Sequence, residues 1–244
     1  MTQRGYEFYD NQQTFDNYIE RRSWNDNVND TIEKPIVMEM IGNVGMKHIC
    51  DLGCGTGSFG NELLDLGASS YIGIEGSQNM VARSKQVLNR SNSKVIHTAM
   101  EDWMNPTNTY DLVISRLALH YIEDLDALFG KVFASLCSGG SFVFSVEHPV
   151  MTSSFGMTRQ EGLKQDWIVD GYFDTGVRKQ EWLGGIALKF HRTVEDYYVA
   201  LQGAGFVVGS LRESKPRRVQ FANEEAFLRR MRIPLFLFLE GNKN

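Results

Sequence analysis

Asp51-Leu-Gly-Cys-Gly-Thr-Gly57 closes a short apolar run, His48–Leu52, and leads it straight into a turn with three glycines. Glycine has no Cβ and tolerates positive φ, so such a turn brings backbone very close to something else. At the end of a strand in an α/β protein, that something is a ligand. The G-x-G-x-x-G expression of dinucleotide sites is also satisfied, by Gly55, Gly57 and Gly60, with Glu75 following at the distance of a ribose-binding acid. The expression alone leaves the ligand open, and charge separates the readings. A dinucleotide would set its pyrophosphate against the turn and the following helix N-terminus, where the Asp51 carboxylate repels it. A positively charged cofactor without phosphate gains from the same carboxylate. The sequence has no G-K-[ST], so a nucleoside triphosphate site of the P-loop type is not expected.

Around this turn, apolar runs alternate with amphipathic ones. Strands are predicted over 48–52, 71–74, 94–98, 110–115 and 141–146, with helical patterns over 58–66, 77–90, 117–120 and 124–137 between them. Strands that alternate with helices build a doubly wound, mostly parallel sheet covered on both faces. The polar and aromatic stretch before Pro35 reads as short helices lying over a surface. Residues 151–190 keep no clean period, and a break of that length inside a compact chain is usually functional. A lid or short antiparallel strands over the site are expected there. A helix, a strand, a second helix and a last strand follow, over 194–204, 206–213, 224–230 and 235–239. The chain thus divides into an N-terminal helical lid (1–34), a core (35–150), an inserted cap (151–190) and a C-terminal completion of the core sheet (191–244).

Composition narrows the class. The 244 residues are 42% hydrophobic and 23% charged, as in ordinary soluble globular proteins. A net charge of −5 without an extended basic run disfavours a nucleic-acid partner, RNA included. The three cysteines have no C-x-x-C spacing, so neither a disulfide framework nor a metal site is expected. The N-terminus lacks an apolar leader, and the densest apolar run, 233–239, is too short to span a bilayer. A cytoplasmic protein, monomeric or homodimeric and free of the membrane, is the expectation.

Residues 49–57, Ile-Cys-Asp-Leu-Gly-Cys-Gly-Thr-Gly, resemble the signature of class I S-adenosylmethionine (SAM)-dependent methyltransferases. The resemblance continues through Tyr71-Ile-Gly-Ile-Glu-Gly-Ser77, through the fourth-strand motif from Tyr110 to Tyr121, and through Ser138-Gly-Gly-Ser-Phe-Val-Phe-Ser145. It implies a Rossmann-like, seven-stranded, mostly parallel sheet with an antiparallel last strand, and SAM as cofactor with S-adenosylhomocysteine as product. By the same resemblance Asp51 faces the methionine ammonium, Gly53, Gly55 and Gly57 let the cofactor lie on the turn, and Glu75 takes the ribose hydroxyls. Gly76, Ser77 and Met80 line the adenosine, and Arg116 in the fourth-strand motif belongs to the cofactor site. Where the family commonly shows two acids around an alanine, this chain has Ala99-Met100-Glu101, so adenine recognition falls to the Met100 backbone and the Glu101 side chain, with Met80 or Trp103 on the ring. In the lid, Tyr18 and Arg22 lie one helical turn apart, and an arginine there pairs with a carboxylate in two-pronged fashion. Arg21 is the rival.

Methyl transfer to a hydroxyl or amine gains from a general base. His148, in Val146-Glu-His-Pro149 after the fifth strand, is the first candidate, and His120 after the fourth is the second. Tyr121, His148, Trp167, Tyr172, His191 and Tyr197 are expected around the substrate, and their aromatic surface suits a small aromatic or apolar acceptor methylated on O or N. The cap and the His148-Pro149 segment look like those of type 11 members presumed to act on small metabolites. A nicotinamide-dependent oxidoreductase and a non-catalytic SAM-binding regulator are the alternatives.

Overall fold

Two short helices, α1 (Gly5–Asp10) and α2 (Gln12–Arg22), open the chain, and Asn11 between them caps α2 by accepting the Thr14 amide at 3.1 Å. These coordinates are a computed structural model describing residues 4–24, 27–153, 156–160 and 163–244. A five-residue π-helix, Asn29–Glu33, runs into α3 (Lys34–Ile41), where Pro35 sits in the first turn and its missing N–H costs nothing.

The core then builds in strand and helix pairs: β1 (His48–Leu52), α4 (Ser58–Asp65), β2 (Ser70–Glu75), α5 (Gln78–Val87), β3 (Ser93–His97), β4 (Tyr110–Arg116), α6 (Leu125–Ser135) and β5 (Leu136–Glu147). β1 is buried at Ile49, Cys50, Asp51 and Leu52 in succession, as a strand covered on both faces must be. α6 buries Leu125, Leu128, Phe129 and Val132, the spacing of one helical stripe. Ser77 caps α5, its hydroxyl accepting the Met80 amide at 3.3 Å. The helix expected through 137 stops at Ser135 instead, because Leu136 already pairs with Tyr110 and the residues after it join the sheet.

Past β5 come the short helix α7 (Pro149–Thr152), two antiparallel pairs, β6 (Gly156–Gln160) with β7 (Leu163–Ile168) and β8 (Gly176–Trp182) with β9 (Gly185–His191), and then α8 (Val194–Gly203), β10 (Val207–Glu213), α9 (Glu224–Arg230) and β11 (Phe236–Asn242). The irregular stretch after Pro149 is therefore two separate hairpin sheets. Thr193 and Asp196 form a capping box on α8.

Seven strands make one sheet in the order β10-β11-β5-β4-β1-β2-β3, with β11 antiparallel to both its neighbours and the other pairs parallel. Two apolar layers flank it. α6 and α8 cover one face through Phe129, Phe142, Phe144 and Tyr197; α3 and α4 cover the other through Ile36, Val37, Leu63 and Phe238. Strand order reverses between β1 and β4, so the loops leaving those strands diverge and leave a crevice at the carboxyl edge. Among the described residues, no helix is long and apolar enough to cross a membrane.

Gly60 in α4 lies directly on the fully buried Tyr71 ring, which a Cβ at that position would overlap. Alanine's helix propensity would favour Gly60→Ala by about 1 kcal/mol, but overfilling a core site costs about 1–3 kcal/mol. The expected outcome is net destabilisation, read as a lower urea midpoint at unchanged m value.

Candidate active site

The crevice is a cavity of about 820 Å³. Its sheet-side wall consists of the glycine turn (Gly53, Cys54, Gly55), the strand-end residues Asp51, Glu75 and Arg116, and Gly76, Met80, Met100 and Glu101; Tyr18 and Arg22 reach it from α2. The turn follows from its glycines. Gly53 and Gly57 hold φ of 77° and 75°, and a Cβ on Gly53 would stand 2.6 Å from that of Ala118.

Three buried carboxylates are set into this wall, each in a different state of satisfaction. Glu75 is the best served: its Oε2 accepts the Gly55 amide at 2.8 Å and its Oε1 the Ser77 amide at 2.9 Å. Burial pushes its pKa up, and those backbone donors pull it back. Each oxygen keeps a lone pair for a ligand hydroxyl. Glu33, at the end of the π-helix, is fully buried and grips Arg116, whose Nε lies 3.1 Å from Oε2; Ser145 Oγ donates to Oε1 at 2.6 Å. The Arg116 guanidinium is thereby fixed, with the Phe59 ring centroid 4.1 Å away. Asp51 is the least satisfied. Its Oδ2 accepts from the Tyr71 hydroxyl at 2.6 Å, while Oδ1 is buried and meets no donor among the described residues. Burial drives its pKa up to about 6, the Tyr71 bond and Arg116 notwithstanding. An ammonium group placed there would remove that penalty.

The cavity also has an aromatic wall. Tyr9 from α1, His120 and Tyr121 from the turn after β4, Glu147, Trp167 and Trp182 all line the same cavity. The Tyr9 and Tyr121 hydroxyls are 3.0 Å apart. Arg21 lies over the Trp182 ring, 4.3 Å from its centroid. Leu117, at the foot of this wall, holds a φ of 52°, unusual for a branched side chain; the Ser145 carbonyl and hydroxyl both accept its amide, at 2.9 and 3.1 Å.

Several expected site residues stand elsewhere. His148 does not line the cavity: its Nε2 meets Glu213 at 3.0 Å and its Nδ1 caps α7 by accepting the Val150 amide. The strand alternation explains the correction, since neighbours point to opposite faces and Glu147 takes the cavity side. His191 is bonded through Nδ1 to Thr152 and through Nε2 to the Tyr172 carbonyl. Tyr172 accepts the Val194 amide, and Tyr197 is a core residue against Phe144; none of the three lines the cavity. Gly57 and Ser77 act behind the wall, as the caps of α4 and α5. Trp103 is buried against Tyr110, which leaves Met80 on the wall. Arg22 lines the cavity, but Asp30 and Asn27 hold its guanidinium at 2.9 and 3.3 Å. Sequence reading overlooked Glu33, Tyr9, Glu147 and Lys189; a charged residue ending the apolar run 141–146 was the available signal for Glu147.

This order of strands, with a glycine turn and acids at the carboxyl edge of β1 and β2, defines a nucleoside-cofactor enzyme of the Rossmann-like kind. Residues 49–140 match the family model described as a methyltransferase domain. A solved structure from Listeria monocytogenes that bears the name of a SAM-dependent methyltransferase superposes with a TM-score of 0.80 at 33% identity, covering 87% of this chain and 96% of that one. Another methyltransferase so named, from Mesorhizobium loti, gives a TM-score of 0.80 at 30% identity, covering 91% of this chain and all (100%) of that one. A malonyl-[acyl-carrier protein] O-methyltransferase of Ilyobacter polytropus is 30% identical over 54% of this chain, which spans about half (47%) of that relative's length. The chain belongs to the class I SAM-dependent methyltransferases, with SAM as cofactor, and the nicotinamide alternative falls.

The sign of the Asp51 shift yields a test. A carboxyl raised from 3.8 to about 6 in the folded chain stabilises the fold when protonated, and that contribution is lost as pH rises through about 6. A bound ammonium favours the ionised form, so affinity for S-adenosylhomocysteine should rise over the same interval. Titration calorimetry from mildly acidic to neutral pH should show that rise in the natural protein and a flat, weaker profile in Asp51→Asn.

Proposed function

We propose that the enzyme transfers the SAM methyl group to an oxygen or nitrogen atom of a small, aromatic or largely apolar acceptor. The observation that carries this reading is the aromatic wall of Tyr9, Tyr121, Trp167 and Trp182, which shares one cavity with Asp51 and Glu75. Rings of this size bury an apolar acceptor and orient it through few polar groups. The relative from Ilyobacter polytropus, named for methylating an oxygen, supports the same class of acceptor atom. A chain of net charge −5 without a basic run gives no support to a nucleic-acid acceptor.

In this reading Asp51 holds the methionine ammonium and Glu75 the ribose hydroxyls. Gly53 and Gly55 let the cofactor approach the backbone, Gly76 and Met80 line the adenosine, and Met100 and Glu101 flank the adenine. Tyr18 and the fixed guanidiniums of Arg22 and Arg116 border the methionine end. Residues 1–34 act as a lid, 151–190 as a substrate cap, and 35–150 with 191–244 as the core, in a protein proposed to work in the cytoplasm. When bound, SAM supplies a methyl group already activated by its sulfonium. The chain's share is then to align the acceptor and exclude water, and alignment is worth roughly 7–11 kcal/mol.

Glu75 and His148 separate binding from support. Calorimetry should find S-adenosylhomocysteine bound at least about tenfold more weakly by Glu75→Ala, as loss of hydrogen bonds to a charged group implies. His148→Ala should bind it normally and instead unfold at lower temperature, by the about 1 kcal/mol of a lost helix cap. Equal losses of affinity in the two variants would overturn this division.

A further inference from the structure

β5 ends in a carboxylate whose two oxygens are treated unequally. Oε1 of Glu147 accepts from Lys189 Nζ at 2.5 Å, whereas Oε2 is shut off from solvent and meets no donor among the described residues. Glu147 is nevertheless part of the cavity wall. Its partner cannot swing away easily: Lys189 is almost wholly buried, its ammonium 5.3 Å from the centroid of Trp182 and 5.9 Å from that of Tyr121. A buried acceptor atom left without a donor costs free energy, and a ligand that donates to it recovers that cost.

We propose that Glu147 is the catalytic residue on the acceptor side: Oε2 accepts a hydrogen bond from the acceptor's reacting hydroxyl and takes its proton, so the enzyme is an O-methyltransferase. The inference rests on the small-molecule reading above and narrows it to one acceptor atom.

His120, the other candidate on this wall, is unsuited to the task. The Glu147 amide donates to its Nδ1 at 3.4 Å, so the neutral ring carries its proton on Nε2. Burial, reinforced by Lys189 and Arg192, pushes its pKa down to about 3 against the pull of Glu147. His120 therefore remains a neutral donor and polar support. The Tyr9 and Tyr121 hydroxyls are raised by burial and stay protonated.

The character of Glu147 selects among nucleophiles. Burial would raise its pKa, but the Lys189 ammonium outweighs burial and holds it below the ordinary carboxylate range. Such a carboxylate is too weak a base to strip an alkylammonium before attack. It also repels a carboxylate acceptor brought against Oε2. A hydroxyl meets neither obstacle. It donates to Oε2 and keeps a lone pair for in-line attack. As that lone pair bonds to the methyl carbon, the carbon–sulfur bond breaks and its electrons stay on sulfur. The oxygen becomes strongly acidic, and its proton passes to Oε2. A weak base suffices for so late a transfer.

Phenol, aniline and benzoate carry the same ring with different acceptor atoms. Their binding to the protein loaded with S-adenosylhomocysteine can be followed by tryptophan fluorescence, because Trp167 and Trp182 line the cavity. Phenol should bind in preference to benzoate, and Glu147→Gln should weaken phenol about tenfold or more while leaving S-adenosylhomocysteine affinity unchanged. With SAM present, substituted phenols should yield methyl ethers, with kcat lower by about a hundredfold or more in Glu147→Gln. The double variant Glu147→Gln with Lys189→Met removes both buried charges, so it keeps the test alive should the single variant fail to fold, and it should lose the phenol preference too. Preferential methylation of aniline or benzoate, or phenol binding that ignores both variants, would overturn the assignment to Glu147 while leaving the small-molecule reading in place. A loaded protein that binds none of the three probes would overturn both.

Discussion

A carboxylate taken out of water costs free energy unless donors meet it, and the carboxyl edge of this sheet takes in Glu33, Asp51, Glu75 and Glu147. The way each one is answered organises the region. Glu75 closes on the amides of Gly55 and Ser77, so a single side chain ties the turn after β1 to the turn after β2. Glu33 reaches from the N-terminal helices to Arg116 and Ser145, which links the N-terminal segment to the ends of β4 and β5. Ser145 in turn holds the strained Leu117 backbone through its carbonyl and hydroxyl. Glu147 recruits Lys189 from the β8–β9 hairpin and so anchors that hairpin to the sheet. The walls of the cavity are joined to one another by the same charges that line it.

The N-terminal helices are bound into this arrangement by close approach as well as by charge. Tyr6 covers Gly76, where a Cβ would stand 2.6 Å from the ring, and Gly5 fits against Tyr121 in the same manner. Asp10 accepts from the Ser77 hydroxyl at 2.7 Å, and Asn17 donates to the Leu183 carbonyl in the β8–β9 turn at 3.0 Å. The α1 and α2 helices therefore touch the β2–α5 turn, the turn after β4 and the β8–β9 hairpin together. Two short helices could not hold a fixed position alone, since helices of such length are marginal without tertiary contacts.

The core was legible because its signals are local. An apolar run ending in Asp51 and three glycines can serve few structures, and the alternation of strand and helix periods forces a parallel sheet. The wall that holds Glu147 was obscure for an equally physical reason. In β9 the apolar residues Ile186, Leu188 and Phe190 alternate with Ala187, Lys189 and His191, and the usual rule puts the apolar set inside. The structure does the reverse: Ala187, Lys189 and His191 are buried while Ile186 is 57% exposed. Lys189 can go inward only because Glu147 waits there, a partner 42 residues away in sequence that periodicity cannot see. His148 misled for the opposite reason. A histidine next to a proline at a strand end looks available, yet the one-residue step from Glu147, the last residue of β5, to His148 separates the cavity from the side that meets Glu213.

The unmet oxygens of Asp51 and Glu147 bear on stability as well as on chemistry. Substituting apolar residues for buried charges frequently stabilises a fold, so a sequence selected for stability alone would not keep these two atoms without donors. Keeping them means that the ligand-free chain carries their desolvation cost and that a ligand which supplies the donors removes it. Binding is thus coupled to folding through two identifiable atoms, one on each wall, and by linkage any ligand that meets them must raise the stability of the folded chain. The two contributions differ in kind. Asp51 is a nearly isolated charge that a cation can neutralise, whereas Glu147 is already neutralised by Lys189 and lacks only a hydrogen bond. In the proposed reaction a cationic cofactor and a neutral hydroxyl are the complements of those two deficits, and each would be directed to its own place in the cavity.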